Sequence, residues 1–549
     1  MKKCYFTEVD DQFNPAEDIV VGPWCLDGTD KVELIIPYSH DEILLMHRKL
    51  FDLSFFLLNR DLSLQLQMDE SKRNVHYLLL QKDYLFFVFF AFSRFRMVKK
   101  IVSKYGEKDI VCEHVPVKLP GTFVDYFKTE VTGYLAARIF ECISSSQKNK
   151  KFHKKNFFVK DEISKSHPKK KSDKKILCAQ ILGIKNYFRH MNGISFFSGL
   201  ILTSFYKIIS LVSRNNTPIQ FSRYNPTIGL NEEVLEFIKV FDKLSPEFIK
   251  QYSECKKKVK IKNLYIKFPG FFLNNKVISP LIEAYLEGDT KILISQHGSC
   301  YATLQKHFHR EMEYNLGRFL SWGKIITSYL ERKNVIKNLP FPYLSSIADS
   351  YKYDNQKNIL WLTGVHYKSG DGLEYCTGQD ALKYAKKKKD FWHKLRVEVS
   401  EQILFKHLPT SSEMFLDVML NIIPQNQQVC EQGIIPHMQA SRFIFLDYYG
   451  TPFYEAMSMN APVVLAMLEG IPFFTEEASH IFQKFEEAGV VYRTPDAAAQ
   501  FLNELYYRDI KQWWNDEKIQ SIRREFLEMY ANNKPYFWPW LKAILKREI

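Results

Sequence analysis

The chain has 549 residues, with hydrophobic residues at 46%, aromatics at 15%, charged residues at 25% and a formal net charge of +14. A chain of this length builds its core without disulfide or metal staples, and its balanced composition excludes a collagen, a disordered chain and a multi-span membrane protein. A basic excess points toward nucleic acid or anionic lipid only where it is spread over a folded surface, so its distribution matters.

The first residues, Met1 to Asp10, carry charges but no apolar run, and no signal peptide is expected. Ile19 to Val21 reads as a short strand leading into Gly22-Pro23-Trp24-Cys25, and Glu42 to Leu58 and Val75 to Val98 show helical apolar periodicity. Between Ser144 and Lys175 stand twelve lysines, no arginine and only Asp161, Glu162 and Asp173, so this window holds +9 of the +14. Rich in Ser, Asn, Lys and Pro and without an apolar period, it reads as a mobile insertion or linker. The alternative is a polybasic strip on an anionic membrane surface, through Lys148, Lys150, Lys151, Lys169, Lys170 and Lys171. Nucleic acid is not expected, because base-reading arginines and interleaved aromatics are missing.

Ile176 to Arg214 reads as helical. The two longest apolar runs, Tyr84 to Phe92 and Ser195 to Val212, fall short of the roughly 20 apolar residues a membrane span needs. Both read as buried helix faces, with shallow membrane docking as the alternative for the second. From Asn225 the texture changes: a helix Glu232 to Leu244, a strand Lys260 to Ile266, a buried strand Lys291 to Ser295, and a hinge at Leu339-Pro340-Phe341-Pro342. The last third alternates. Strands Asn358 to Leu362, Ile403 to Lys406, Phe443 to Leu446, Val463 to Ala466 and Val490 to Tyr492 are separated by helices Gln379 to Val399, Pro452 to Met459 and Thr475 to Ala488, with Pro495 to Tyr507 following. Such alternation predicts a parallel, Rossmann-like sheet. Nine scattered cysteines without C-x-x-C fit a reducing compartment and neither a disulfide framework nor a zinc ribbon.

Ligands bind beyond the carboxyl ends of parallel strands, at helix N-termini that favour anions. Three segments qualify. In Asp447 to Glu455, Gly450 admits a close approach, Thr451 suits a cap and a phosphate contact, and Glu455 suits a ribose or sugar hydroxyl. Lys406-His407-Leu408-Pro409 places a cation and an imidazole at a strand end. In Gln296-His297-Gly298-Ser299-Cys300-Tyr301, His297 stands where a general base is expected, with Glu311 and Glu313 following. Each also reads as an ordinary turn or packed loop. G-x-G-x-x-G, the P-loop, G-x-S-x-G and Asp-x-Asp are all absent from the sequence, and no metal-ligand spacing occurs.

The arrangement resembles the two-domain GT-B glycosyltransferase plan, and more specifically a family of bacterial surface-polysaccharide transferases. The resemblance rests on Gly22, Trp24 and Cys25, on Gln296 to Tyr301, on Glu313 followed by Ser321-Trp322-Gly323, on His407 and Pro409, and on Asp447, Thr451, Glu455 and Asn460. It departs at Ser299, where the family has a second Gly, and at Asn315 to Arg318, where the family's acidic residue before Trp-Gly is missing. A distant similarity extends to transferases using CMP-activated Kdo or nonulosonic acids, in which a His-Pro motif and a helix-start Ser/Thr hold the CMP phosphate. His407, Pro409 and Thr451 match by that resemblance.

The expectation is therefore an α/β, GT-B-like enzyme with two Rossmann-like domains facing a cleft and a helical N-terminal elaboration. Its parts are an N-terminal part of the first domain (1–143), the Lys-rich insertion (144–175), the rest of the acceptor-side domain (176–340), a nucleotide-sugar domain (341–514) and C-terminal helices (515–549). The resemblance implies a metal-independent glycosyltransferase without cofactor, cytoplasmic or peripheral at the inner membrane face. Its donor would be a nucleotide-sugar and its acceptor a polysaccharide or lipid-linked glycan. His297 or Glu313 would act as base, Lys406, His407, Pro409, Gly450, Thr451 and Glu455 would bind the donor, and Gln296, Gly298 and Tyr301 would line the acceptor side. The alternatives are a CDP-polyol phosphotransferase and a non-enzymatic membrane assembly protein.

Overall fold

A computed structural model describes residues 3–6, 9, 11–21, 25, 40–65, 70–106, 109–113, 135–140, 142–143, 157–160, 181–183, 195–212, 226–246, 263–266, 291–296, 298–305, 318–324, 336–353, 358–364, 380–407, 416–429, 433–468, 470 and 472–549. Helices and predominantly parallel sheets make it an α/β protein.

Three sheets follow one another along the chain. The first contains β1 (Lys3–Tyr5), β2 (Ile19–Val20), β3 (Asp109–Glu113) and β4 (Phe157–Lys160), all parallel, in the order β2-β1-β3-β4. Here β4 lies inside the Lys-rich window, so four of its residues pair in a sheet instead of belonging to a linker. The neighbouring lysines of the window fall outside the described residues.

The second sheet runs β5 (Ile181–Gly183), β6 (Asn263–Ile266), β7 (Lys291–Ser295), β8 (Arg318–Ser321) and β9 (Ile336–Asn338), with only β5 antiparallel. The segment expected to be helical from Ile176 therefore contains the strand β5, and its helix is Phe196–Val212. Apolar alternation decides which faces are covered. Leu293 and Leu320 lie under the helices Phe196–Val212 and Phe537–Leu545, whereas Ile294 and Phe319 join the opposite core. The described strands before Leu339 thus form two sheets and do not present one Rossmann sheet.

That opposite core continues into a helical hairpin, His40–Gln65 and Glu70–Tyr105, covered by the helix Glu232–Phe241. The run Tyr84 to Phe92 is buried throughout, and Phe87, Phe92 and Phe95 make ring contacts with Phe237 and Phe241. A helix that is apolar all round belongs in a core. Among the described residues no helix is long and apolar enough to cross a membrane.

The third sheet contains β10 (Ile359–Leu362), β11 (Ile403–Lys406), β12 (Gln428–Val429), β13 (Phe443–Leu446), β14 (Val463–Ala466) and β15 (Val491–Tyr492). It is fully parallel, in the order β12-β11-β10-β13-β14-β15. Counting from β10, this is the Rossmann order 3-2-1-4-5-6, whose direction reverses between β10 and β13. Ile359, Trp361, Phe443 and Phe445 face one helical layer while Leu360, Leu362, Ile444 and Leu446 face the other, which explains the unbroken apolar strands. The predicted helix Gln379 to Val399 is two helices, Asp380–Lys394 and Val397–Ser400, broken at Leu395 and Arg396. The helices Ile510–Trp514, Glu517–Tyr530 and Phe537–Leu545 then carry the chain back to the second sheet.

Candidate functional site

The carboxyl ends of β11, β10 and β13 form one row, with Leu362 opposite both Lys406 and Leu446. Just beyond it, the fully buried Asp447 accepts hydrogen bonds from Trp361 Nε1 (2.8 Å), the Gly364 N–H (3.1 Å) and the Tyr384 hydroxyl (2.5 Å). Burial pushes the Asp447 carboxyl up, while the Lys388 charge and the Tyr384 and Trp361 donors pull it down. Lys388, itself buried, donates to Thr363 Oγ1 at 3.1 Å and lies over the Tyr384 ring. Asp447 therefore anchors the switch point from below. Gly364 is needed there because a Cβ would stand 2.8 Å from Tyr448 Cγ. Thr363, Gly364, Tyr384 and Lys388 escaped the sequence reading; the signal was a Thr-Gly pair directly after an apolar strand.

Four residues beyond Asp447 the helix Thr451–Met459 begins. Its N-cap is the extended Gly450, which offers no side-chain cap, and Pro452 occupies the first turn. Pro452 has no N–H and the Phe453 N–H donates to the Gly450 carbonyl at 3.1 Å, so the Gly450 and Thr451 N–H groups are the ones that suit an anion. Thr451 was expected to cap this helix, but it is the first helical residue. Its Oγ1 instead accepts from the Ser299 N–H at 3.1 Å.

That bond joins the loop after β7 to the third sheet. The approach is so close that a Cβ on Gly298 would stand 2.8 Å from Thr451 Oγ1. Cys300 takes a positive φ of 83°, a strained conformation for a side-chain-bearing residue. Behind the loop, Gln296 holds the shape: its Nε2 donates to the Gly298 carbonyl (2.7 Å) while Oε1 accepts from the Trp322 N–H (2.9 Å). Gln296 is thus a buried clamp between Gln-His-Gly and Ser-Trp-Gly. Gly323 is dictated by packing, since a Cβ would come within 2.4 Å of the Met529 carbonyl. Thr303, Tyr449 and Tyr454 then join hydroxyls between the loop after β7 and the third sheet at 2.8 to 3.2 Å, and the Thr475 N–H donates to the Thr303 carbonyl at 2.8 Å.

One turn into the helix, Glu455 is buried and accepts from the Tyr343 hydroxyl at 2.7 Å. Burial pushes its carboxyl up to about 7, against a downward pull from that hydrogen bond. Glu455 Oε2 and Trp322 Nε1 are both buried without a hydrogen-bond partner among the described residues. Trp322 stacks on Phe341 at 4.5 Å and meets the Tyr454 ring edge-on. A buried acceptor and a buried donor left open beside one helix suit a hydroxyl-bearing ligand.

The remaining expected residues divide. Lys406 is buried at the end of β11, and half-buried His407 follows, its N–H donating to the Val429 carbonyl at 3.2 Å. Tyr301 is buried and stacks on Phe319, so it packs the loop into the core. His297, Glu313 and Pro409 lie outside the described residues, as do Gly22 and Trp24; Cys25 is buried, with its Sγ 3.4 Å from the Tyr5 carbonyl. Among the described residues no group of His, Cys, Asp and Glu side chains is placed to hold a metal ion.

The model of a family described as the LIC12162 family transferase matches residues 77–545. The chain belongs to this family. It is a transferase, and the match covers both the Gln296 clamp and the Thr451 helix. No curated protein matches the chain.

Proposed function

We propose that this transferase is a GT-B-type glycosyltransferase. It moves a sugar, in the preferred reading a CMP-activated acidic sugar such as Kdo or a nonulosonic acid, onto a surface-polysaccharide or lipid-linked acceptor. The observation that carries the reading is the contact between Ser299 and Thr451, which brings the loop bearing His297 against an uncapped helix start at a Rossmann switch point.

In this scheme the acceptor hydroxyl attacks the anomeric carbon, the bond from that carbon to the phosphate oxygen breaks, and the nucleotide leaves. His297, with Glu313 as the alternative, takes the hydroxyl proton. Lys406, His407, Pro409 and the Gly450-Thr451 helix start stabilise the leaving phosphate. Glu455 orients the sugar or ribose. The reaction is assigned to the cytoplasmic side, where nucleotide-sugars are made.

The test is nucleotide release from UDP-, GDP- and CMP-sugars by the purified protein, with His297→Ala as control. Release of CMP from a CMP-sugar, lost in the variant, is the expected result. Silence with all three donors, together with no thermal shift, sinks the proposal.

A further inference from the structure

The helix Phe196–Val212 contains no acidic residue and is apolar on two opposite faces. One face buries Leu202 and Tyr206 against Leu293, Leu320 and the C-terminal helix residues Trp540, Leu541 and Ile544. The other carries Phe197, Ile201, Phe205 and Ile208, exposed at 76%, 44%, 36% and 56%. At about 100° per residue these four fall in one stripe along the helix.

The helix Phe537–Leu545 extends that surface. The Ser195 N–H donates to the Tyr536 hydroxyl at 3.1 Å. At the other end the Arg318 charge acts on Tyr206 while its guanidinium donates to the Arg547 carbonyl at 2.8 Å. The two helices therefore run side by side in the same direction. The second, also without an acidic residue, adds Trp538 at 72% and Leu545 at 47% exposure, and Lys542, Lys546 and Arg547 are exposed around them.

We propose that this helix pair is a docking face for an anionic lipid bilayer. The exposed aromatic and aliphatic side chains enter the headgroup boundary, and Lys542, Lys546 and Arg547 meet the phosphates. Charge selects this occupant. Two copies of the face brought together would set Lys542, Lys546 and Arg547 against one another, three cations that outnumber the half-buried Glu548 beside them. None of these side chains belongs to the transfer site described above, and the inference stands whichever group the transferase moves.

The experiment is co-flotation of the full-length protein with vesicles of phosphatidylcholine alone or mixed with phosphatidylglycerol. The wild type is expected to float with the anionic vesicles and to bind the zwitterionic ones about tenfold more weakly. Phe197→Glu combined with Ile208→Glu is expected to weaken anionic binding at least about tenfold, and Lys542→Glu with Lys546→Glu to abolish the anionic preference. Circular dichroism melts and nucleotide release should match the wild type, because all four positions are exposed and outside the transfer site. Wild-type protein that ignores anionic vesicles, or a Phe197/Ile208 variant that floats as well as the wild type, overturns the proposal. A dimer dissolved by that variant, in a protein that binds no vesicle, makes the face a protein interface and overturns it equally.

Discussion

The backbone N–H of Ser299 donates to the hydroxyl of Thr451 across 152 positions of sequence. This bond ties the loop after β7 to the helix that starts at the switch point of the third sheet. A hydroxyl that accepts from Ser299 still has its own proton to donate, so Thr451 can hold the loop and meet an anion together.

Thr451→Ala removes both roles. The rate of nucleotide release should fall roughly 10- to 100-fold, corresponding to about 1.4 to 2.8 kcal/mol of transition-state stabilisation. Thr451→Ser keeps the hydroxyl and should retain most of the rate. Steady-state kinetics decides: an Ala variant as fast as the wild type removes Thr451 from the site.

Gly298→Ala places a methyl group against Thr451 Oγ1, so the loop must shift. A loss of about 1 to 3 kcal/mol in stability is expected from the overpacked contact. Because the clash is with one side-chain atom, the loss should shrink when Thr451→Gly is introduced as well. Urea denaturation of the four proteins in the double-mutant cycle measures the coupling, and strictly additive losses contradict the contact.

Glu455 makes stability depend on pH. Its folded carboxyl titrates at about 7, above the usual carboxylate range, so the folded state holds the proton more tightly than the unfolded one. Its contribution is therefore fully present below about pH 4 and is lost as pH rises through about 7, by on the order of 3 kcal/mol. Glu455→Gln should remove this loss and raise the melting temperature at pH 8 relative to pH 5. Melting curves of both proteins across that range test it, and parallel pH profiles contradict it.

Gln296→Leu strips the Trp322 N–H and the Gly298 carbonyl of their buried partner. A cost of about 1 to 3 kcal/mol follows from leaving such groups unsatisfied. Chemical denaturation reads the loss directly, and a variant as stable as the wild type would show that the clamp does not hold the two motifs.

Sequence alone determined five of the six strands of the third sheet and missed only the two-residue β12. Runs such as Ile403 to Lys406, Phe443 to Leu446 and Val463 to Ala466 are apolar on both faces because helices cover both sides, and the intervening helices carry their own caps, as at Thr475 and Thr494. Local pattern was enough because each element is defined by neighbours in the chain. It also singled out Gln-His-Gly and Gly-Thr-Pro, the two segments that the Ser299–Thr451 hydrogen bond joins. It did not show that Gln296, Tyr301 and Asp447 spend their side chains on the scaffold, and it named neither Tyr343, which donates to Glu455, nor Lys388, which donates to Thr363.

Only the tertiary structure decided those roles, because they depend on groups distant in sequence converging. A glycine is required at Gly298 by an atom of Thr451, and at Gly323 by the Met529 carbonyl. The short strands β4 and β5 exist because β3 and β6 lie beside them, with too few residues for a period of their own. The apolar run Ser195 to Val212 illustrates the same limit. Composition shows that it is apolar, but which half of its circumference the protein buries and which it leaves open was settled by where the C-terminal helix lies.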